Sequence, residues 1–170
     1  MALDFRRVSL DHQRSEIVDL NVEYMTWVLD GVDAHFSIDS KALAGKSVRE
    51  YVESTIDAAL ANATLYLLYD SGALVGMGAL RKIRDDVGEL KRMYVRPAFR
   101  GRGFGKALLA KLLDDARAMS LKTLYLDSAP FMTAAHGLYR SIGFEVCDAY
   151  PESEVPEHLR SQWLFMQATL

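Results

Sequence analysis

The stretch from Met93 to Ala107, MYVRPAFRGRGFGKA, limits the fold more than any other part of this chain. An apolar strand end passes through Arg96 and Pro97 into glycines at 101, 103 and 105. A strongly amphipathic segment follows, with Leu108, Leu109, Leu112, Leu113, Ala116 and Met119 on one helical face. A short loop then leads to another strand candidate, Leu121 to Asp127. A strand, a helix and a short loop make a crossover unit, so the second strand is expected to run parallel to the first with the helix across one face of the sheet.

Alternate glycines let the backbone take turn dihedrals and lie close against a ligand. The first-turn N–H groups of the helix behind them have no intrahelical partner, and the helix dipole adds to their attraction for an anion. Arg100, Arg102 and Lys106 surround the turn with positive charge. A phosphate or pyrophosphate suits such a turn, but the familiar nucleotide loops do not match. Gly101 to Gly105 is one residue short of the ATP-binding loop, and Ala107 replaces the hydroxyl of that loop. The third glycine also comes one residue too early for the dinucleotide fingerprint. Spacing alone leaves a second reading open, a glycine-rich turn whose arginines are simply solvated.

The other elements follow from periodicity. Residues 3 to 8 predict a strand, with Asp11 in position to cap a helix over 12–30 whose buried stripe is Ile17, Leu20, Tyr24, Trp27 and Val28. Gly31 is expected to end that helix, and the segment to Lys46, lacking a clear period, reads as a loop with at most a helical turn. Ser47 and Glu50 have capping-box spacing ahead of a second helix. Strands over Thr64 to Tyr69, Leu74 to Arg81 and Glu89 to Val95, with turns at Asp70-Ser71-Gly72 and Arg84 to Gly88, make an antiparallel meander. Gly76 and Gly78 mark a close approach by a neighbour or a ligand. A helix over Met132 to Ile142, closed by Gly143, precedes strands over Phe144 to Tyr150 and Trp163 to Thr169. The polar segment between those two strands, YPESEVPEHLRSQ, reads as a mobile loop. Together these elements predict an α/β (α+β) fold, a mixed sheet of about seven strands with helices on both faces.

Length and charge set the remaining bounds. A chain of 170 residues is expected to be a single domain, 1–170, and a net charge of −3 gives no reason to expect nucleic acid as a partner. One cysteine, Cys147, excludes an intramolecular disulfide, and the histidines at 12, 35, 136 and 158 lack metal-ligand spacing, so no metal is expected. The N-terminal residues lack the apolar core of a signal peptide, and no apolar run reaches the roughly 20 residues of a membrane span. A cytoplasmic protein without a membrane partner is the expectation.

Arg100-Gly101-Arg102-Gly103-Phe104-Gly105 resembles the [QR]-x-x-G-x-[GA] signature of the GNAT superfamily of N-acetyltransferases. GELKRMYV before it and AAHGLYRSIGF after it resemble the flanking segments of the same family, so the likeness covers about the central half of the chain. It implies a splayed sheet and acetyl-CoA as co-substrate, bound by Met93, Tyr94, Val95, Arg100, Gly101, Arg102, Gly103, Phe104, Gly105 and Lys106. It also implies Tyr139 as general acid for the departing thiolate and Glu89 as general base, or as the holder of a proton-relaying water. Core packing for the tyrosine and an exposed hairpin end for the glutamate remain alternatives. Many relatives carry an asparagine where this chain has Met132, which leaves the pantetheine contact open.

An alkyl amine, with a pKa of roughly 10.4, arrives protonated at neutral pH, so its acetylation needs a base. The expected activity is direct transfer of acetyl from acetyl-CoA to a primary amine of a small molecule or amino acid. A non-catalytic acyl-CoA sensor and a protein or peptide N-acetyltransferase are the alternatives. Tyr24, Trp27 and Asp33, with Asp30, Glu152 and Glu154, fall in the segments expected to line the acceptor side, where aromatic and acidic residues suit a cationic molecule. A homodimer stays open. His136 is expected at the surface or in a cap, and Cys147 as a small buried apolar side chain.

Overall fold

The computed structural model describes residues 3–40 and 45–170. Its strands are β1 Leu3–Arg7, β2 Ala63–Asp70, β3 Ala73–Arg84, β4 Val87–Val95, β5 Thr123–Ser128, β6 Glu145–Val146 and β7 Leu164–Thr169. Its helices are α1 Leu10–Phe36, α2 Val48–Leu60, α3 Phe104–Ala118, α4 Thr133–Ser141 and the short α5 Glu157–Arg160. The strands form one mixed sheet in the order β1-β2-β3-β4-β5-β7-β6. Neighbours run antiparallel except β4 and β5, the pair joined through the glycine turn and α3.

The continuous apolar run of β2 is explained by burial on both faces. Leu65, Leu67 and Tyr69 pack with Ile17, Leu20, Val52 and Ile56 of α1 and α2, while Tyr66 and Leu68 face the side occupied by α3. The stripe of α3, Leu108 to Ala116, is buried, and α4 joins that layer through Tyr139 with Ala135 and Leu138 beside it. Helix α2 begins in a complete capping box: Ser47 Oγ accepts from Glu50 N–H at 3.2 Å and Glu50 Oε2 accepts from Ser47 N–H at 2.8 Å.

Several boundaries differ from the sequence reading for packing reasons. Ser9 is the N-cap of α1, so Asp11 is the second helical residue rather than a cap. Gly31 does not end α1; the helix continues to Phe36 and stops at Ser37, which takes a left-handed φ of 54°. The glycine makes room instead, since a Cβ there would come within 2.3 Å of the Phe131 ring. Of the loop expected over 31–46, positions 41–44 lie outside the described residues. Val87 and Gly88 belong to β4 because Gly88 is pressed between Leu121, Leu124 and Leu80. Gly76 lies against Tyr94 O and Gly78 against Met93 Sδ and Leu112, so the close approach is by the neighbouring strand and by α3.

The strand expected over Phe144 to Tyr150 shrinks to Glu145–Val146, and the polar segment after it is tied down. Tyr150 and Val155 are buried with Phe165, and Arg160 donates to Val155 O at 3.0 Å and to Ser153 O at 3.2 Å.

Candidate active site

β4 and β5 pair only at Val87–Glu89 with Thr123–Tyr125. Past those three rungs each strand keeps its outer partner, and the inner edges diverge. Two cavities occupy the divergence. The first, about 500 Å³, is lined by Met93, Tyr94, Val95, the glycine turn, Phe131 and Leu138. The second, about 290 Å³, is lined by Tyr24, Lys91, Arg92, Asp127, Glu154 and Trp163. They share Trp27, Met93, Met132, Ala135 and Tyr139, so these residues form the partition between them.

The glycine turn has the conformation its composition requires. Gly101 and Gly103 take φ of 77° and 83°, and no atom lies within 4 Å of where a Cβ would project from either. The first bond of the α3 ladder is Ala107 N–H to Gly103 O at 3.0 Å, so the amides of Phe104, Gly105 and Lys106 precede it. An open glycine backbone and the start of a fifteen-residue helix at the mouth of the cavity suit an anion. The residues present therefore fit the pyrophosphate of a coenzyme A thioester, with the apolar walls beyond the turn available to its arm.

The charges around the turn are unequal. Arg100 and Lys106 line the cavity, and Arg100 lies 4.7 Å from the Trp27 ring centroid with its Nε donating to Val95 O at 3.0 Å. Arg102 is used elsewhere: it pairs with the buried carboxylate of Asp70 at 3.0 Å and lies outside the cavity lining. Tyr94 is buried, with its hydroxyl donating to Glu23 at 3.0 Å, so its side chain serves the α1 interface.

Tyr139 is buried in the α4 packing layer, yet it reaches both cavities. Its hydroxyl has no hydrogen-bond partner among the described residues. Burial pushes its pKa upward, so it stays protonated at neutral pH. Glu89 is not the exposed hairpin end that the sequence allowed. It is fully buried and lines neither cavity; Tyr150 donates to its Oε1 at 2.6 Å and Arg81 pairs with its Oε2 at 2.6 Å. Burial raises its pKa against the pull of Lys91, Tyr150 and Arg81.

The carboxylate that does line the second cavity is Asp127, at the C-terminal end of β5. Trp163 donates to its Oδ1 at 3.2 Å, and Tyr150 and Ser153 approach its Oδ2 at 3.3 Å. Burial raises its pKa too. The Tyr150 hydroxyl thus lies between Glu89 and Asp127. The available signal for Asp127 was an acid ending an otherwise apolar strand where a parallel sheet opens, a common place for ligand-facing groups.

Of the other acceptor-side residues, Tyr24 and Trp27 line the second cavity. Asp33 does not; it accepts from Ser40 N–H at 2.8 Å near the end of α1. Glu152 and Glu154 are engaged by cations, Arg84 at 3.0 Å for the first and Arg81 and Lys91 at 2.9 and 2.6 Å for the second. His136 is buried against Ser128 Oγ at 3.0 Å, not at the surface. Cys147 is half-buried beside Tyr150 and its cluster. No group among the described residues could hold a metal ion, and no described helix is long and apolar enough to cross a membrane.

The acetyltransferase (GNAT) family matches residues 33–144, and the chain belongs to that family. Over 80 residues it is 38% identical to an uncharacterized N-acetyltransferase of Escherichia coli, YjgM, covering 45% of this chain and 48% of that one. Over 75 residues it is 40% identical to the IAA acetyltransferase of Azospirillum brasilense, covering 44% and 49%. The chain therefore spans about half the length of these curated relatives. The fold is shared along the whole chain with the PaiA N-acetyltransferase of Thermoplasma acidophilum, solved with coenzyme A, at a TM-score of 0.71, 17% identity and full coverage of both chains.

Proposed function

We propose that this chain moves an acetyl group from acetyl-CoA to the primary amine of a small molecule, by direct attack and without an acetyl-enzyme. The observation that carries the reading is the position of Tyr139 in the partition between the two cavities, one beside an anion-binding turn and the other beside a buried carboxylate. Coenzyme A supplies the activated thioester. The open backbone at Gly101 and Gly103, with the helix start at Gly105, receives its pyrophosphate, with Lys106 and Arg100 adding charge, while Met93 and Val95 of the diverging β4 edge flank its arm.

Asp127 is the base nearest the acceptor in this reading. Its raised pKa suits it to take a proton from an ammonium, directly or through water, and Tyr150 can pass that proton to Glu89. The freed amine nitrogen forms its bond to the acetyl carbon as the carbon–sulfur bond breaks; Tyr139 gives its hydroxyl proton to the departing sulfur, and the proton shed by the acylated nitrogen restores the Tyr139 hydroxyl. Glu89 is thereby a proton reservoir behind Tyr150. A second cavity of about 290 Å³, at the small end for ligand sites, favours a small acceptor over a folded protein's terminus.

The test is thiol release measured with acetyl-CoA and a panel of primary amines, with acetylated product identified by mass. Saturable transfer to at least one amine is expected. Coenzyme binding without transfer to any acceptor would replace this reading with the acyl-CoA sensor.

A further inference from the structure

We infer that Arg92 is a carboxylate site in the acceptor cavity, so that the amine acetylated here belongs to a free amino acid or a similar amino-carboxylate. The inference rests on the transferase reading only in calling this cavity the acceptor's.

The backbone delivers Arg92 there by an irregularity. The β3–β4 register places Met77 opposite Tyr94 and Ala79 opposite Lys91, so Arg92 and Met93 together face Gly78. This is a β-bulge, and Arg92 takes a left-handed φ of 54° to form it. Such a φ is strained for a residue with a Cβ, and strain of this kind gathers at ligand sites. In a regular strand successive side chains point to opposite faces. Here Lys91, Arg92 and Met93 all line the one cavity.

The electrostatics of Arg92 are incomplete. It is half-buried, and its one side-chain hydrogen bond among the described residues, at 2.5 Å, is to Asn21 Oδ1. Asn21 is neutral, fully buried, and fixed by its own bond to Ile17 O at 2.8 Å. Every other cation on this face has a carboxylate: Arg81 has Glu89 and Glu154, Lys91 has Glu154, and Arg84 has Glu152. No described carboxylate lies within ion-pairing distance of Arg92; Glu154, already held by Arg81 and Lys91, acts on it only from farther across the cavity. Tyr24 cannot serve as counter-ion, because burial pushes its pKa up to about 12.

A guanidinium has five N–H donors in a planar fork, of which Asn21 takes one. The remaining donors in a partly dehydrated cavity match a carboxylate, for which arginine offers paired, charge-assisted bonds. Asp127 in the same cavity supplies an acceptor for an ammonium. A cation and an acid across one small cavity describe the two ends of an amino acid. A peptide N-terminus has an amide where the carboxylate would be and leaves Arg92 unpaired.

The experiment titrates coenzyme A-loaded protein calorimetrically with a panel of L-amino acids, each alongside its α-amide. At least one acid should bind about 10- to 100-fold tighter than its amide, the range for hydrogen bonds to a charged partner. Arg92→Gln should erase that difference while leaving the coenzyme Kd within about twofold, a check that the fold persists. A panel in which no acid outbinds its amide overturns the site, and wild-type protein alone suffices for that result. A preference that survives in Arg92→Gln overturns it as well. Binding is read without turnover, so selective binding with no acetyl transfer keeps the carboxylate site and removes the transferase. Transfer to acids and amides with no selective binding does the reverse.

Discussion

Replacing Tyr139 by phenylalanine separates chemistry from packing with unusual clarity, because the hydroxyl has no hydrogen-bond partner among the described residues. The ring is 6% exposed and packs with Phe144, their centroids 5.8 Å apart; phenylalanine keeps that contact. Removing a buried hydroxyl usually strands its partner at a cost of about 1–3 kcal/mol, but here no protein group is stranded. Thermal stability should therefore hold or rise slightly. The coenzyme Kd should also change little, since the turn is untouched. Loss of a positioned acid lowers rate about 10²- to 10⁴-fold, or roughly 2.7–5.4 kcal/mol of barrier. Single-turnover acetyl transfer is the right assay, because slow product release could mask a chemical defect in steady state. A single-turnover rate within about threefold of wild type would remove Tyr139 from the mechanism. A fall in activity matched by a fall in melting temperature would make it a packing residue.

Gly103→Val should weaken coenzyme A binding at least about tenfold by calorimetry, because a side chain at φ 83° would fill the open face of the turn; unchanged affinity would refute the anion site. Its melting temperature should fall by only about 2–8 °C, reflecting roughly 1–2 kcal/mol of backbone strain. Asp127→Asn should remove the acid limb of the kcat/KM profile and lower turnover more than Glu89→Gln, checked by pH–rate profiles of both variants. The folded pKa of Asp127 is raised by burial, so its contribution favours the fold at low pH and is lost as pH rises through that pKa. The asparagine variant should accordingly gain melting temperature at neutral pH and lose that advantage below about pH 4, the ordinary carboxylate range. Gly31→Ala gains about 1 kcal/mol of helix propensity but pushes Phe131 from its place, so coenzyme A affinity should fall while stability changes by less than about 1 kcal/mol; equal affinity would show the ring has room.

The elements whose signals are local were legible. The capping box at Ser47 and Glu50, the stripe of α3 and the glycine turn each specify their structure within a few residues, and the parallel return of β5 follows from chain connectivity. The place of Tyr139 on the buried stripe of α4 was legible from helical periodicity. What stayed hidden depends on partners distant in sequence. Gly31 reads as a stop signal until Phe131 arrives beside it. Glu89 reads equally as a site base or an exposed hairpin end until Tyr150, 61 residues later, closes over it. The bulge at Arg92 is set by the register with β3, which the sequence of β4 alone does not reveal. The segment after Tyr150 seemed mobile because its polar residues outnumber its anchors, Val155 and Arg160.

The divergence of β4 from β5 gives the protein two sheet edges that face inward, toward its own ligand cavity. Sheet edges exposed elsewhere are templates for foreign strands, and proteins protect them with charge, short length or closure. A coenzyme arm seated between β4 and β5 would cover these edges only while bound. Occupancy then raises apparent stability by RT ln(1 + [L]/Kd), about 2.7 kcal/mol at a hundredfold excess over Kd. Solubility and resistance to proteolysis of this protein should accordingly follow the coenzyme supply of its surroundings.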